Sequence, residues 1–217
     1  MLLYRGLATP TIIALADGDP AALHALLAAN AHALPPRFYA HLTPGLEAAL
    51  APRFTARLLG HHLKMGLAAP VIGRAGDAAG NPVGRAIDDA IVRLTPQHAG
   101  EAVAFYAASY PASYFEPVNL ERGPYVAIRD EHGLAAIAGV HVYSPAKRVA
   151  SLGNIATRPD TRGRGYARRV TAALCRLLQA EVIGLNVRAD NAAAIACYRA
   201  VGFDARHAYD EWLVTAS

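Results

Sequence analysis

The run Arg162-Gly163-Arg164-Gly165-Tyr166-Ala167 joins an apparent strand to the start of a helix, and it constrains the fold of this chain more than any other feature. The residues before it, Val149 to Thr157, are short, apolar and β-branched, and Pro159 and Asp160 break that strand. From Ala167 onward, Val170, Leu174, Leu177 and Leu178 recur at helical spacing. The first turn of a helix leaves backbone N–H groups without partners. Together with the positive end of the helix dipole, those donors suit a phosphate. Gly163 and Gly165 let a large anion approach the backbone, and Arg162 and Arg164 can neutralise charge and donate paired hydrogen bonds. The spacing is not that of a Walker loop, because no Gly-Lys-Ser/Thr comes after it. It is not the dinucleotide fingerprint either, because Arg168 stands where a third glycine belongs.

A second strand and helix lie further along the chain. Val182 to Val187 reads as a strand that includes Asn186, and Asp190 and Asn191 offer caps for a helix over Ala192 to Val201. Gly202 is a suitable residue to end it, and Phe203 can staple that end to a sheet. Ala194, Tyr198 and Val201 share one helix face.

These residues resemble the GNAT superfamily of acyl-CoA-dependent N-acyltransferases. The family's pyrophosphate motif, Arg/Gln-x-x-Gly-x-Gly/Ala, matches Arg162, Gly165 and Ala167. Its later motif, Asn-x-x-Ala-x-x-x-Tyr-x-x-x-Gly-Phe, matches Asn191, Ala194, Tyr198, Gly202 and Phe203 without a gap. The strand Leu152-Gly153-Asn154-Ile155-Ala156-Thr157 looks like the branch that includes glycine N-acyltransferases. The resemblance covers about Ala86 to Ser217. It implies coenzyme A across Arg162 to Ala167, and strand backbone at Asn154, Ile155, Ala156 and Thr157 that bonds the pantetheine arm. That arm enters where the fourth and fifth strands of the family's fold splay apart.

Working backward from the motifs, Ala90 to Leu94 is an expected strand, and Thr95 and Pro96 start a helix through about Ser109. Pro111 to Glu121 is a loop or short helix beside Tyr110, Tyr114 and Phe115. Tyr125 to Arg129 is a strand, Glu131-His132-Gly133 a hairpin turn, and Leu134 to Tyr143 the returning strand. Ser144 to Lys147 turns again, and Glu211 to Thr215 is a last strand. The expected class is α+β: a GNAT-like mixed, largely antiparallel sheet with a central βαβ crossover in residues 86–217. Residues 1–85 are expected to form a smaller α/β region, either a packing extension or a decayed acyltransferase-like half. In it, Asp19 or Pro20 starts a helix to Asn30. Pro35, Pro36 and Pro44 interrupt the chain beyond that helix, and Arg57 to Leu67 is a strand that could pair with Ile87 to Leu94. Gly73 to Gly84 reads as a glycine-rich loop.

Acyl transfer requires that an amine lose a proton and that a thiolate gain one. The resemblance places Tyr198 beside the coenzyme sulfur as the acid, and a phenol keeps its proton near neutral pH. The alternative is a packed helix-face aromatic. Asn191 serves as helix cap and as polar contact to the pantetheine arm, and a backbone N–H near Ile155 could polarise the thioester carbonyl. The base is less legible, because Val149 to Thr157 contains no carboxylate. His141, Glu116, Glu121 and a water chain are the options. The aromatic loop is expected to pack rather than bind.

Composition agrees with these readings. The formal charge is +4, and five arginines stand between Arg158 and Arg169 against Asp160 alone, which is read as phosphate recognition rather than nucleic-acid binding. No apolar run spans a bilayer and no secretory leader is legible, so a cytoplasmic protein is expected. Cys175 and Cys197 are read as small apolar residues in a reduced setting, without a nucleophile's role. His61 and His62 point to opposite faces of a strand, and no residues have metal-ligand spacing. The expected activity is acetyl transfer from acetyl-CoA, or another acyl-CoA, to a small-molecule amine or amino acid. The transfer is direct, with no metal, nucleic acid or membrane, and a homodimer is left open. The alternative is an acyl-CoA sensor of the same fold without turnover.

Overall fold

The computed structural model of the protein describes residues 1–4, 9–68 and 90–217. In chain order its elements are β1 (Leu2–Tyr4), β2 (Thr11–Ala14), α1 (Ala21–Asn30), β3 (Arg37–Leu42), β4 (Phe54–Leu67), β5 (Ile91–Leu94), α2 (Ala99–Ser109), α3 (Asn119–Arg122), β6 (Tyr125–Asp130), β7 (Gly133–Ser144), β8 (Val149–Thr157), α4 (Tyr166–Leu177), β9 (Val182–Arg188), α5 (Ala192–Val201) and β10 (Phe203–Ala216). The chain divides into two compact units. The first is Met1–Lys64, Val187–Ala192 and Ala205–Ser217, and the second is Met65–Asn186 and Ala193–Asp204. The expected boundary after residue 85 and the expected Gly73–Gly84 loop lie outside the described residues.

In the second unit the strand order runs from the end of β4 through β9, β8, β7 and β6 to β5. Strands β5 to β8 pair antiparallel. Short turns suffice for β6 to β7 and for β7 to β8, since antiparallel neighbours need no crossover. Strand β8 pairs parallel with β9, so the connection must cross over, and α4 makes it. Helix α4 packs on β6, β7 and β8 through Val170, Ala173, Leu174 and Cys175. Its expected stripe is corrected at one position. Leu177 is exposed, and the chain turns extended at Leu178, which is buried in its place. On the other side Leu94, Phe105, Tyr106, Tyr125, Ile137 and Ala156 form a core. Before α2, Thr95 and His98 make a reciprocal capping box around a turn that starts at Pro96.

The first unit has the order β1-β2-β3-β10-β4. Strands β2 and β3 are parallel and α1 lies between them in sequence, while β10 is antiparallel to β3. The core gathers Ile12, Leu27, Phe38, Leu42, Leu50 and Phe54, with the rings of Phe38 and Phe54 edge to face at 5.3 Å.

Three expectations change. Pro35, Pro36 and Pro44 bracket β3 rather than interrupt the chain, because a proline before a strand costs no ladder bond. The last strand begins at Phe203, not Glu211, because cross-strand pairing carries the polar stretch Asp204 to His207 into β10. The described part of Ile87–Leu94 pairs with β6, in place of the expected Arg57–Leu67.

Candidate active site

The turn after β8 is built from the carboxylates around Arg158. The Arg158 guanidinium donates to Asp130 and to Asp160, each at 2.7 Å, and it holds both carboxyls below their ordinary range. Its charge is therefore committed to the protein. Thr161 is buried, and its hydroxyl donates to the carbonyls of Ala135 and Arg158. The chain then turns through Gly163 and Gly165, both left-handed at φ +80° and +78°. A β-carbon at either glycine would meet nothing within 4 Å, so the space in front of this backbone is open. Gly165 is the N-cap of α4, and no side chain caps the helix. Its first N–H groups thus keep their capacity for an anion. Arg162 and Arg164 are exposed, and among the described residues neither pairs with a carboxylate. Arg169 stacks instead over the Tyr166 ring at 5.3 Å. The donor set suits a pyrophosphate.

Strand β8 opens away from β9 just before this turn. Their ladder runs from Val149↔Val182 to Leu152↔Leu185, although β8 continues to Thr157 and β9 to Arg188. On its other edge β8 is irregular. Ile137 pairs with Ala156 and Gly139 with Gly153, so Asn154 and Ile155 together oppose Ala138, which is a β-bulge. Asn154 is left-handed at φ +52° and buried. Its carbonyl accepts from Tyr106 Oη at 2.6 Å, and its Nδ2 donates to Tyr125 Oη at 2.9 Å.

A second irregularity places His141 beside that bulge. Val140 pairs with Leu152 and Val142 with Ser151, which leaves His141 as an extra residue in β7. Its ring lies directly against Gly153 and edge-on to Tyr114, with centroids 6.4 Å apart. Although part of its surface is exposed, the surrounding protein disfavours the imidazolium and lowers the pKa below 6.5. Tyr198 is 8% exposed and packs on Phe203 with ring centroids 6.3 Å apart. Burial, with Cys197 and Tyr110 adding to it, pushes its phenol well above the ordinary value.

A family model for the acetyltransferase (GNAT) family matches residues 94–203, or 110 of 217 residues, from the end of β5 to the start of β10. The chain belongs to the GNAT acetyltransferase family. Among solved structures it is similar to a putative GNAT-family acetyltransferase from Novosphingobium aromaticivorans. The two are 26% identical over 88% of this chain and 80% of that one, with a TM-score of 0.62. It shares its fold with a GCN5-related N-acetyltransferase from Kribbella flavida, at 19% identity over 91% and 76% of the two chains and a TM-score of 0.56. The same holds for a tandem GNAT protein of the clavulanic acid biosynthesis pathway, at 15% identity over 88% and 69% and a TM-score of 0.57. A search of curated proteins finds no match.

In this GNAT chain the bulge gathers His141, Gly153, Asn154 and Tyr114. Glu116 is exposed; its backbone N–H donates to Asn119 Oδ1 and its backbone carbonyl accepts from the Asn119 N–H at the start of α3, which leaves its carboxylate outside these bonds. Asn186 is exposed on β9 beyond the end of the β8 ladder, and Ala194 lies one turn before Tyr198 on α5. Asn191 is exposed, belongs to the first unit, and donates its N–H to the Arg188 carbonyl. Within the aromatic loop Phe115 is half-buried and stacks on Tyr106 at 4.6 Å, whereas Tyr110 and Tyr114 are exposed. Sequence reasoning missed Tyr106 and Tyr125, whose only local signal was an aromatic at a core position. It also missed Arg158, whose partner Asp130 is 28 residues distant.

In the first unit His61 bonds Asp210 at 2.6 Å, and His41 and His62 flank Glu211 at 3.5 and 3.6 Å. A cavity of about 440 Å³ in this unit, beside Leu34 and Phe54, carries none of the expected site residues. A smaller one of about 360 Å³ lies in the second unit against Asp130, Arg158, Asp160 and Arg164 of the turn. Among the described residues no set of three or more His, Cys, Asp or Glu is arranged to hold a metal ion, and no helix is long and apolar enough to cross a membrane.

Proposed function

We propose that this protein transfers an acetyl group from acetyl-CoA directly to a primary amine of a small molecule or amino acid, in a ternary complex. The observation that carries this reading is the open, cap-free turn at Gly163 and Gly165 with its two uncommitted arginines, set at the end of the strand that has parted from β9. Arg162 and Arg164 neutralise the pyrophosphate and the α4 N–H groups bond its oxygens. The edge of β8 from Gly153 to Thr157 offers backbone groups to the pantetheine amides.

His141 takes the proton of the incoming amine. Its lowered pKa keeps the imidazole neutral at pH 7, which a base requires. The amine nitrogen then attacks the thioester carbon, a C–N bond forms, and charge gathers on the carbonyl oxygen, where the Ile155 N–H can donate to it. As the C–S bond breaks, Tyr198 offers its proton to the departing sulfur. Among the described residues its hydroxyl makes no hydrogen bond that would compete. Burial pushes the Cys175 thiol up to about 12 and raises that of Cys197, which supports transfer without an acyl-cysteine.

The β8 sequence Leu152 to Thr157 supports placement in the glycine N-acyltransferase-like branch. Both cysteines are free, which agrees with a reducing, cytoplasmic setting. One observation favours a sensor that binds acyl-CoA without turnover: β8 carries no carboxylate. A thiol-release assay with acetyl-CoA and a panel of amines separates the two. Release that depends on an amine supports the enzyme, and calorimetric binding with no release from any amine supports the sensor.

A further inference from the structure

We infer that Tyr106 and Tyr125 are positioning residues for acyl transfer, clamping Asn154 so that the Ile155 N–H is presented to the acyl carbonyl; the inference rests on the functional reading above. Asn154 is the residue at which β8 departs from a regular ladder, and its φ of +52° is left-handed, a region that asparagine enters more readily than other side chains but that few residues besides glycine adopt. Such a conformation persists only where the surroundings impose it. Here two elements do so from the buried side. From α2, Tyr106 Oη donates to the Asn154 carbonyl at 2.6 Å. From β6, Tyr125 Oη accepts from Asn154 Nδ2 at 2.9 Å, and it donates more weakly to the Val140 carbonyl at 3.4 Å.

Both phenols are themselves fixed. Tyr106 stacks on Phe115 and meets Phe105 edge to face, with centroids 5.4 Å apart. The Tyr125 ring lies flush against Gly139, where any β-carbon would overlap it, and it meets Phe115 at 5.6 Å. Burial raises the pKa of each, so both remain protonated and Tyr106 can act only as a donor to that carbonyl.

Peptide-bond geometry carries this clamp to the other side of the strand. Among the described residues there are no cis peptides, so the Asn154 carbonyl and the Ile155 N–H point in opposite directions across one rigid plane. A carbonyl held inward to Tyr106 sends that N–H outward, away from α2. The bulge leaves its extra residue out of the β7 ladder. One phenol on the buried side thus sets the aim of a donor on the opposite side.

The test is infrared spectroscopy of bound acetyl-CoA labelled with ¹³C at the carbonyl, together with steady-state kinetics on Tyr106→Phe, Tyr125→Phe, Asn154→Gly and Asn154→Val. In the wild-type protein the carbonyl band is expected to lie below its position in water. Tyr106→Phe should return the band toward the water position and lower kcat about 10- to 100-fold, as small misplacements of a catalytic donor do. Tyr125→Phe should shift the band in the same direction by less, because it leaves the carbonyl bond to Tyr106 in place. Asn154→Gly tolerates the left-handed conformation and should keep most of the band shift, whereas Asn154→Val opposes it and should lose the shift. If Tyr106→Phe does not fold, the Asn154 pair decides. An unmoved band and unchanged kcat in Tyr106→Phe would overturn the inference while leaving the transferase intact, as would equal behaviour of the two Asn154 variants. Failure of the wild-type protein to bind acetyl-CoA would overturn the functional reading itself.

Discussion

The imidazole of His141 covers the α-carbon of Gly153 so closely that any β-carbon there would overlap the ring. The contact joins the extra residue of β7 to the residue before the β8 bulge, and so places the one expected base that borders the bulge. Glycine at 153 is what allows the two strands to carry an imidazole between them.

His141→Gln should lower kcat about 10²- to 10⁴-fold, the usual worth of general-base assistance. The pKa of His141 lies below 6.5, and the base form is the neutral one, so the wild-type rate at saturating amine should rise with pH through that pKa and then level. The variant should lose this limb. Gly153→Ala should displace the ring and imitate His141→Gln in kcat. A pH–rate profile that keeps its acid limb in His141→Gln would remove His141 from the mechanism.

Tyr198→Phe keeps the ring against Phe203 and removes only the proton donor. The expected fall in kcat is again about 10²- to 10⁴-fold, with acetyl-CoA affinity and melting temperature little changed. Because burial raises its pKa above 10, ionisation of Tyr198 should not limit the wild-type rate up to pH 10. An unimpaired kcat would show a packing residue only.

Arg162→Ala and Arg164→Ala should each weaken acetyl-CoA binding about 10- to 100-fold, the worth of a charge-assisted hydrogen bond, as read by calorimetry. Gly165→Glu should abolish binding, because a carboxylate would stand at the phosphate position and a side chain is strained at φ +78°. Arg158→Met should act differently. Its charge is committed to Asp130 and Asp160, so melting temperature is expected to fall ahead of any direct loss of affinity. Unchanged affinity in both the Arg162 and Arg164 variants would refute the phosphate site.

Acid should weaken the first unit in two steps. Burial lowers the His62 pKa below 6.5, against the pull of Glu211, with His41 and Arg188 also facing it. The unfolded chain therefore takes the proton first, and stability present above pH 6.5 is lost as pH falls below that value. Glu211 is held below 4.5 by its hydrogen bond from His41, so a second loss comes beneath pH 4.5. Melting temperatures measured from pH 8 to pH 3 should show both steps, and His62→Gln should abolish the upper one. Persistence of that step in the variant would assign it to another group.

Local chemistry alone determined a good deal of this protein. Strand β8, helix α5 and the turn between β8 and α4 were legible because β-branched runs, an N-terminal break and a terminal glycine act within a few residues of themselves. Family membership was legible for the same reason, since both matched motifs are short and contiguous in the sequence. Tertiary structure alone decided the rest. The left-handed Asn154 depends on hydroxyls 48 and 29 residues away, and no spacing rule connects them. Likewise Arg158 reads as one more basic residue until Asp130 is folded against it. Strand β10 begins at Phe203, ahead of its register with β3 at Asp210↔Leu42 through Thr215↔Arg37, because it is also hydrogen-bonded to β4 on its other edge. Hydrogen bonds between distant strands leave no period in a sequence, so their partners emerge only when the chain has folded.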